Sequence, residues 1–132
     1  MALVCPDQMG EILLLQYIVG KVAAGDSVLH LYLNDHTPTD SSVIANLTEV
    51  TAAGYAAITL TTTNWTTTQS GGITTAVYSE QTFSFGTVAT TYGYYITNTS
   101  GQLLWLERFS GAPFNIPSGG GTVSITAKLT LS

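Results

Sequence analysis

The chain has 132 residues, of which only 8 % are Asp, Glu, Lys or Arg, and its formal net charge is −5. Soluble domains usually carry about 25 % charged residues, so hydroxyl and amide side chains must supply most of the polar surface. The three basic residues, Lys21, Arg108 and Lys128, are too scattered to neutralise a row of phosphates. This excludes a basic stripe for nucleic acid and a polybasic membrane anchor.

The overall organisation predicts one domain over residues 1–132, because no linker or long repeat divides the chain. Cys5 is the only cysteine, so no intramolecular disulfide can form. Residues 1–7 lack the basic and apolar regions of a secretory signal. The apolar run from Ile12 to Val19 is interrupted by Gln16 and is too short for a membrane span. We therefore expect synthesis in a cytoplasm and no membrane partner.

The first predicted element is a helix of about three turns between Gly10 and Gly20, although a buried strand remains an alternative. Glu11 in the first turn and Gly20 as a stop favour the helix. Its shared apolar face would comprise Leu14, Leu15, Ile18 and Val19. The residues before it, about 1–9, are expected to form a short arm.

The rest of the chain shows the two-residue alternation of strands, together with many threonines. Asn98–Gly101 joins the most clearly predicted hairpin. The predicted strands are Val28–Leu33, Gly54–Leu60, Thr74–Phe85 (as two short strands or one bent strand), Tyr92–Thr97, Leu103–Phe109 and Thr122–Leu131. This pattern predicts an all-β jelly roll or β-sandwich of about eight antiparallel strands with one short N-terminal helix.

The histidines and carboxylates of the chain form no catalytic motif. His30 lies on the strand face opposite the leucines, and His36 lies in a turn with Asp35 and Asp40, where turn-stabilising roles explain the same residues. The four glutamates, Glu11, Glu49, Glu80 and Glu107, are dispersed along the chain. Since catalysis needs a nucleophile with a base, paired carboxylates or a metal, we predict no enzyme, no catalytic residue, no metal and no cofactor.

Sparse charge favours another role, because neutral hydroxyls and amides can be buried against a partner without the cost of desolvating ions. Aromatic residues in the last third are mostly expected in the core, while exposed ones would serve as contacts. The candidate protein-contact residues are Leu3, Val4, Trp65, Glu107, Arg108 and Phe114.

Several segments taken together resemble a known class of proteins. These are Gly10-Glu11 before the apolar run, Leu29–Asp35 followed by Thr37-Pro38-Thr39, Gly54-Tyr55, Trp65, Tyr92–Tyr95, Leu104–Phe109 and Ile125–Ser132. In this order they resemble jelly-roll decoration or cement proteins on the capsid exterior of tailed bacteriophages.

The resemblance implies no catalytic residues. It implies a homodimer or homotrimer that binds the major capsid protein, cements neighbouring capsid subunits on the outside of the virion, and is made in the cytoplasm of a bacterial host. A tail- or head-fibre module that binds a receptor or carbohydrate is the alternative, with Trp65 and Asn64 as its candidate contact.

Overall fold

The structure is a computed structural model that describes residues 3–131. These residues form one α-helix, α1 (Ile12–Ile18), and eleven strands. The strands are β1 (Ser27–Tyr32), β2 (Ile58–Leu60), β3 (Trp65–Ser70), β4 (Ile73–Tyr78), β5 (Gln81–Phe85), β6 (Ala89–Thr91), β7 (Gly93–Asn98), β8 (Leu103–Arg108), β9 (Phe114–Ile116), β10 (Gly121–Ile125) and β11 (Lys128–Leu131). The predicted all-β fold with a short N-terminal helix is confirmed, although the strand number is larger than about eight.

One layer is a four-stranded antiparallel sheet in the order β2-β1-β7-β8, here named sheet A. Leu29 lies between Ile58 of β2 and Ile96 of β7, and Ile96 in turn lies opposite Trp105 of β8. Leu29 and Leu31 are fully buried on the inner face, as the alternation of leucines in β1 predicts. The hairpin predicted around Asn98–Gly101 is present as β7 and β8.

The opposite layer contains three smaller antiparallel groups, β11-β4-β3, β10-β5 and β6-β9. The predicted final strand is divided into β10 and β11, which pair with β5 and β4 respectively. At the division the Tyr78 N–H donates to the carbonyl oxygen of Ala127 over 3.0 Å. The two strand pairs therefore form one ribbon that bends around the core.

The core fills the space between the layers, which makes the fold a β-sandwich. Its buried members include Leu29, Ile96 and Trp105 from sheet A and Phe83, Phe85 and Ile125 from the opposite layer. A smaller apolar cluster of Tyr32, Tyr95, Leu103 and Leu106 lies on the outer face of sheet A. This second cluster explains why Tyr32 is buried although it follows the inward-facing Leu31.

The N-terminal segment pairs with the open edge of β8 instead of forming a free arm. Val4 and Leu106 exchange two backbone hydrogen bonds of 2.9 and 3.0 Å. Pro6 is buried, and a π-type turn over Asp7–Glu11 leads into α1. Within the arm expected over about residues 1–9, Val4 and Pro6 are therefore tied to the domain, while residues 1 and 2 lie outside the described part.

Candidate interaction surface

The helix α1 has an apolar residue at nearly every position and so presents two apolar faces. Leu13 is 4 % exposed and points into the protein, together with the partly buried Leu14 and Tyr17. Leu15, Ile18 and Val19 are instead 62 %, 71 % and 72 % exposed. The shared face expected from the sequence is therefore split, since Leu14 turns inward and the other three turn outward.

The outward face is extended at both ends by apolar side chains. We define the helix patch as Ile12, Leu15, Ile18, Val19 and Val22, all of which are exposed. The backbone N–H of Val22 donates to the Gln16 carbonyl oxygen over 3.3 Å, which keeps this residue beside the helix. A helix that is apolar on all sides is normally buried, so the helix patch is a surface that a partner would cover.

The turn that precedes α1, Asp7–Glu11, lies close to β8 of sheet A. A Cβ at Gly10 would overlap the Leu104 carbonyl oxygen of β8, so only glycine permits this close approach. The Cys5 thiol donates to the same carbonyl over 3.4 Å, and burial, reinforced by Glu11 and Asp7, raises its pKa. The helix patch thus follows a turn that is closely packed on β8.

Two of the predicted contact residues, Leu3 and Val4, belong to the N-terminal segment, which packs against the rest of the domain. Leu3 is half-buried against the core, and Val4 packs against the cluster on the outer face of sheet A. Their apolar surface is used within the chain.

Trp65 is also half-buried and does not form an open platform. Its ring makes edge-on contacts with Tyr78 at 5.2 Å and with Trp105 at 6.0 Å, measured between ring centroids. The neighbouring Asn64 amide donates to the Tyr78 hydroxyl over 3.4 Å. The pair proposed to contact a sugar is therefore engaged in internal packing.

Glu107 and Arg108 contact different parts of the protein. Glu107 accepts a hydrogen bond from the Tyr94 hydroxyl at 3.2 Å. The Arg108 guanidinium lies 5.0 Å from the centre of the Tyr92 ring and donates to Asp35 Oδ1 over 2.6 Å. The contact between Arg108 and Asp35 holds the loop after β1 against the end of β8.

Phe114 differs from the other predicted contact residues because it is strongly exposed, at 43 %. Its ring stacks on Phe109 with 5.1 Å between the ring centroids. It therefore keeps apolar surface available to a partner, although less than each of the three central residues of the helix patch.

The turn that contains His36 is held by its own hydrogen bonds. His36 Nε2 lies 2.9 Å from Ser42 Oγ, and burial together with the charge of Arg108 lowers the pKa of the imidazole. Within residues 3–131, no group of three or more His, Cys, Asp or Glu side chains is arranged to hold a metal ion. The polar residues of this turn are thus accounted for by loop structure.

A second polar network has the connectivity of a catalytic triad. His30 Nδ1 lies 2.8 Å from Glu49 Oε1, and His30 Nε2 lies 3.0 Å from the Thr97 hydroxyl. Thr97, however, is only 3 % exposed, so a substrate does not reach its oxygen. The Tyr55 hydroxyl donates to Glu49 over 2.8 Å and accepts from the Leu31 N–H over 3.0 Å. The network therefore fastens the segment around Glu49 to sheet A.

Comparison with known proteins gives no relative: no family model matches the chain, and no curated protein or solved structure matches it. No helix within residues 3–131 is long and apolar enough to cross a bilayer. The helix patch is accordingly the feature from which function is inferred. The sequence groups Leu15, Ile18 and Val19 on one apolar face but does not assign them to a contact surface, because periodicity does not show which face of a helix stays uncovered.

Proposed function

We propose that the protein is a structural virion protein that binds the outside of a phage capsid and cements neighbouring major capsid subunits. The observation that supports this function is the helix patch, an apolar surface exposed along α1 in a protein with very few charges. Burying one Val, Leu or Ile side chain completely contributes roughly 1.5–3 kcal/mol. Covering the helix patch therefore supplies a large part of the binding free energy of a protein interface.

The surroundings of the helix patch support burial against a protein. Glu11 precedes the helix patch and Lys21 lies beside Val22 at its other end, and the residues between Glu11 and Lys21 carry no charge. The interface therefore forms without desolvating an ion at its centre, which would oppose binding. Repetition of the contact over many capsid subunits, and through an oligomer of the protein, would raise the avidity further.

The first test is the location of the protein. Virions purified from cells that carry the gene are analysed by mass spectrometry, and their heads are reconstructed by electron microscopy. We expect the protein on the outer capsid surface, at junctions between major capsid subunits. Its absence from the head, or its presence only in fibres, would contradict the proposal.

The second test asks whether the helix patch makes the contact. Val19→Asp places a carboxylate in the patch, and Val88→Asp is the matched control, because Val88 is 64 % exposed in a loop remote in sequence from α1. Each purified variant is added to heads that lack the protein, and its occupancy is measured. We expect Val19→Asp to weaken binding about tenfold or more and Val88→Asp to bind normally. Equal binding of the two variants would exclude the helix patch.

A further inference from the structure

The hairpin of β3 and β4 extends beyond the core of the sandwich. Gly71 and Gly72 form its two-residue turn, with φ values of 57° and 81° that suit the inner positions of a tight hairpin turn. All residues from Thr66 to Thr74 are exposed, although successive side chains of a strand point to opposite faces. This part of the hairpin is therefore uncovered on both faces.

The outer edge of β3 carries backbone groups that no described strand pairs with. β3 is the last strand in the order β11-β4-β3, and Ser70 and Ile73 form the pair next to the turn. In a two-residue hairpin that pair exchanges both backbone hydrogen bonds, and every second pair does so thereafter. The N–H and C=O groups of Trp65, Thr67 and Gln69 consequently point away from β4.

This edge lacks the features that normally prevent pairing between strands. Natural edge strands are protected by charged side chains, prolines, bulges or covering segments. β3 contains no charged residue and no proline, and the whole stretch from Val50 to Ser79 is uncharged. Three of the other edges differ, because β8 is bridged by Val4, β2 has only three residues and β11 carries Lys128.

We propose that β3 pairs with β3 of a second copy of the same chain, antiparallel and about a two-fold axis at Thr67. Thr67 then lies opposite its own equivalent, Thr66 lies opposite Thr68, and Trp65 lies opposite Gln69. This register places every outward-pointing N–H and C=O opposite another such pair. The two three-stranded groups become one six-stranded sheet.

The chemistry of the edge favours an identical copy as the partner. Two molecules with a net charge of −5 each repel one another, so the interface between them is best formed where both are uncharged. Cross-strand pairs of threonines are favourable in sheets, and this register creates three of them across the two-fold axis. An isologous contact of this kind closes at two copies. It uses β3 and not the helix patch, so it is independent of capsid binding.

The first test is the mass of the purified protein in solution, measured by sedimentation and light scattering. We expect twice 13.9 kDa for the unmodified chain. Thr67→Lys places two like charges opposite each other and should weaken the dimer about tenfold or more. Thr51→Lys makes the same change at an exposed loop position and should leave the dimer intact. A monomer or a trimer of the unmodified chain, or a dimer insensitive to Thr67→Lys, would overturn the proposal.

The second test examines the register. In a chain with Cys5→Ala, Thr67→Cys places the two new cysteines opposite each other. Their Cα atoms are then about 5.5 Å apart, which is within the range of a disulfide. Thr68→Cys places its thiol opposite Thr66 on the other face of the sheet. Oxidation by dissolved oxygen should link the first variant rapidly and the second at least about tenfold more slowly. Equal rates would rule out the two-fold axis at Thr67, even if both variants fold normally.

Discussion

At the scale of single residues, Gly93 shows how a missing side chain shapes the outer face of sheet A. Gly93 lies opposite Tyr32 in the pairing of β1 with β7. A Cβ at this position would lie 2.5 Å from the Tyr32 hydroxyl and would overlap the Glu107 carbonyl oxygen. The Tyr32 ring thus occupies the space that any other residue would need, and a glycine covered by a cross-strand aromatic ring is a recognised way of stabilising a sheet.

We predict that Gly93→Ala destabilises the fold by about 1–3 kcal/mol or more, because a backbone atom must move to make room. Gly119→Ala is the matched control, since a Cβ at Gly119 meets no atom within 4 Å. It should change the free energy of unfolding by less than about 0.5 kcal/mol. Urea unfolding measures both, and equal stability of the two variants would show that this close packing is not required.

The residues also show how far side-chain environments can be predicted. The burial of Leu29 and Leu31 follows from the alternation of apolar residues along β1. The half-buried state of Trp65 does not, because it depends on Trp105, which is forty positions later in the chain. Local pattern therefore predicts the face on which a strand residue lies but not the partner that covers it.

At the scale of elements, α1 allows the same substitution to be compared on opposite sides of one helix. We predict that Leu13→Ala costs about 2–5 kcal/mol, because it leaves a cavity beneath the helix. Leu15→Ala should cost less than about 0.5 kcal/mol in the isolated chain, because Leu15 already contacts water. Thermal or urea unfolding of the two variants tests this. A similar loss for both would mean that the helix patch is covered within the chain.

The strands differ in how well the sequence predicts them. β7 and β8 were predictable because two apolar runs flank a short turn. β3 was not predicted, because its residues, half of them threonine, show no alternation between polar and apolar side chains. β6 and β9 have only three residues each and exist through their mutual pairing. Strands that depend on a distant partner leave little trace in local periodicity.

At the scale of the whole molecule, burial of phenol groups predicts instability in alkali. Burial is the main cause that raises the pKa of four tyrosines above the ordinary value of 10. For Tyr32 the pKa rises to about 12. The other three are Tyr55, Tyr94 and Tyr95. Below pH 10 all four are protonated in the folded and unfolded chains, so their contribution to stability is fully present.

We predict that the free energy of unfolding falls as the pH rises from about 10 to 12, because the unfolded chain releases these protons first. Urea unfolding over that range, with tyrosinate absorbance recorded in parallel, measures the effect. Tyr95→Phe removes one of the four groups and should make the fall shallower. A stability that stays constant up to about pH 12 would show that these hydroxyls ionise freely in the folded protein.

The sparse charge of the whole molecule was evident from composition, and it led to the expectation of a protein buried in an assembly. The residues that would make the contacts were less predictable. Most of the expected contact residues are occupied within the chain, whereas none of the helix-patch residues was among them. Which apolar face remains uncovered is decided by the packing of α1 on sheet A, which no local pattern encodes.

The scarcity of basic residues has a consequence for proteolysis. Trypsin cleaves after Lys and Arg, and the chain has no such residue between Lys21 and Arg108. Lys21 is exposed in the turn after α1, whereas the Arg108 side chain is 15 % exposed. A first cut after Lys21 would place four of the five helix-patch residues on a short N-terminal peptide and leave residues 22–108 uncut. The protein thus yields few tryptic peptides, and intact-mass measurement is the sounder way to count its copies.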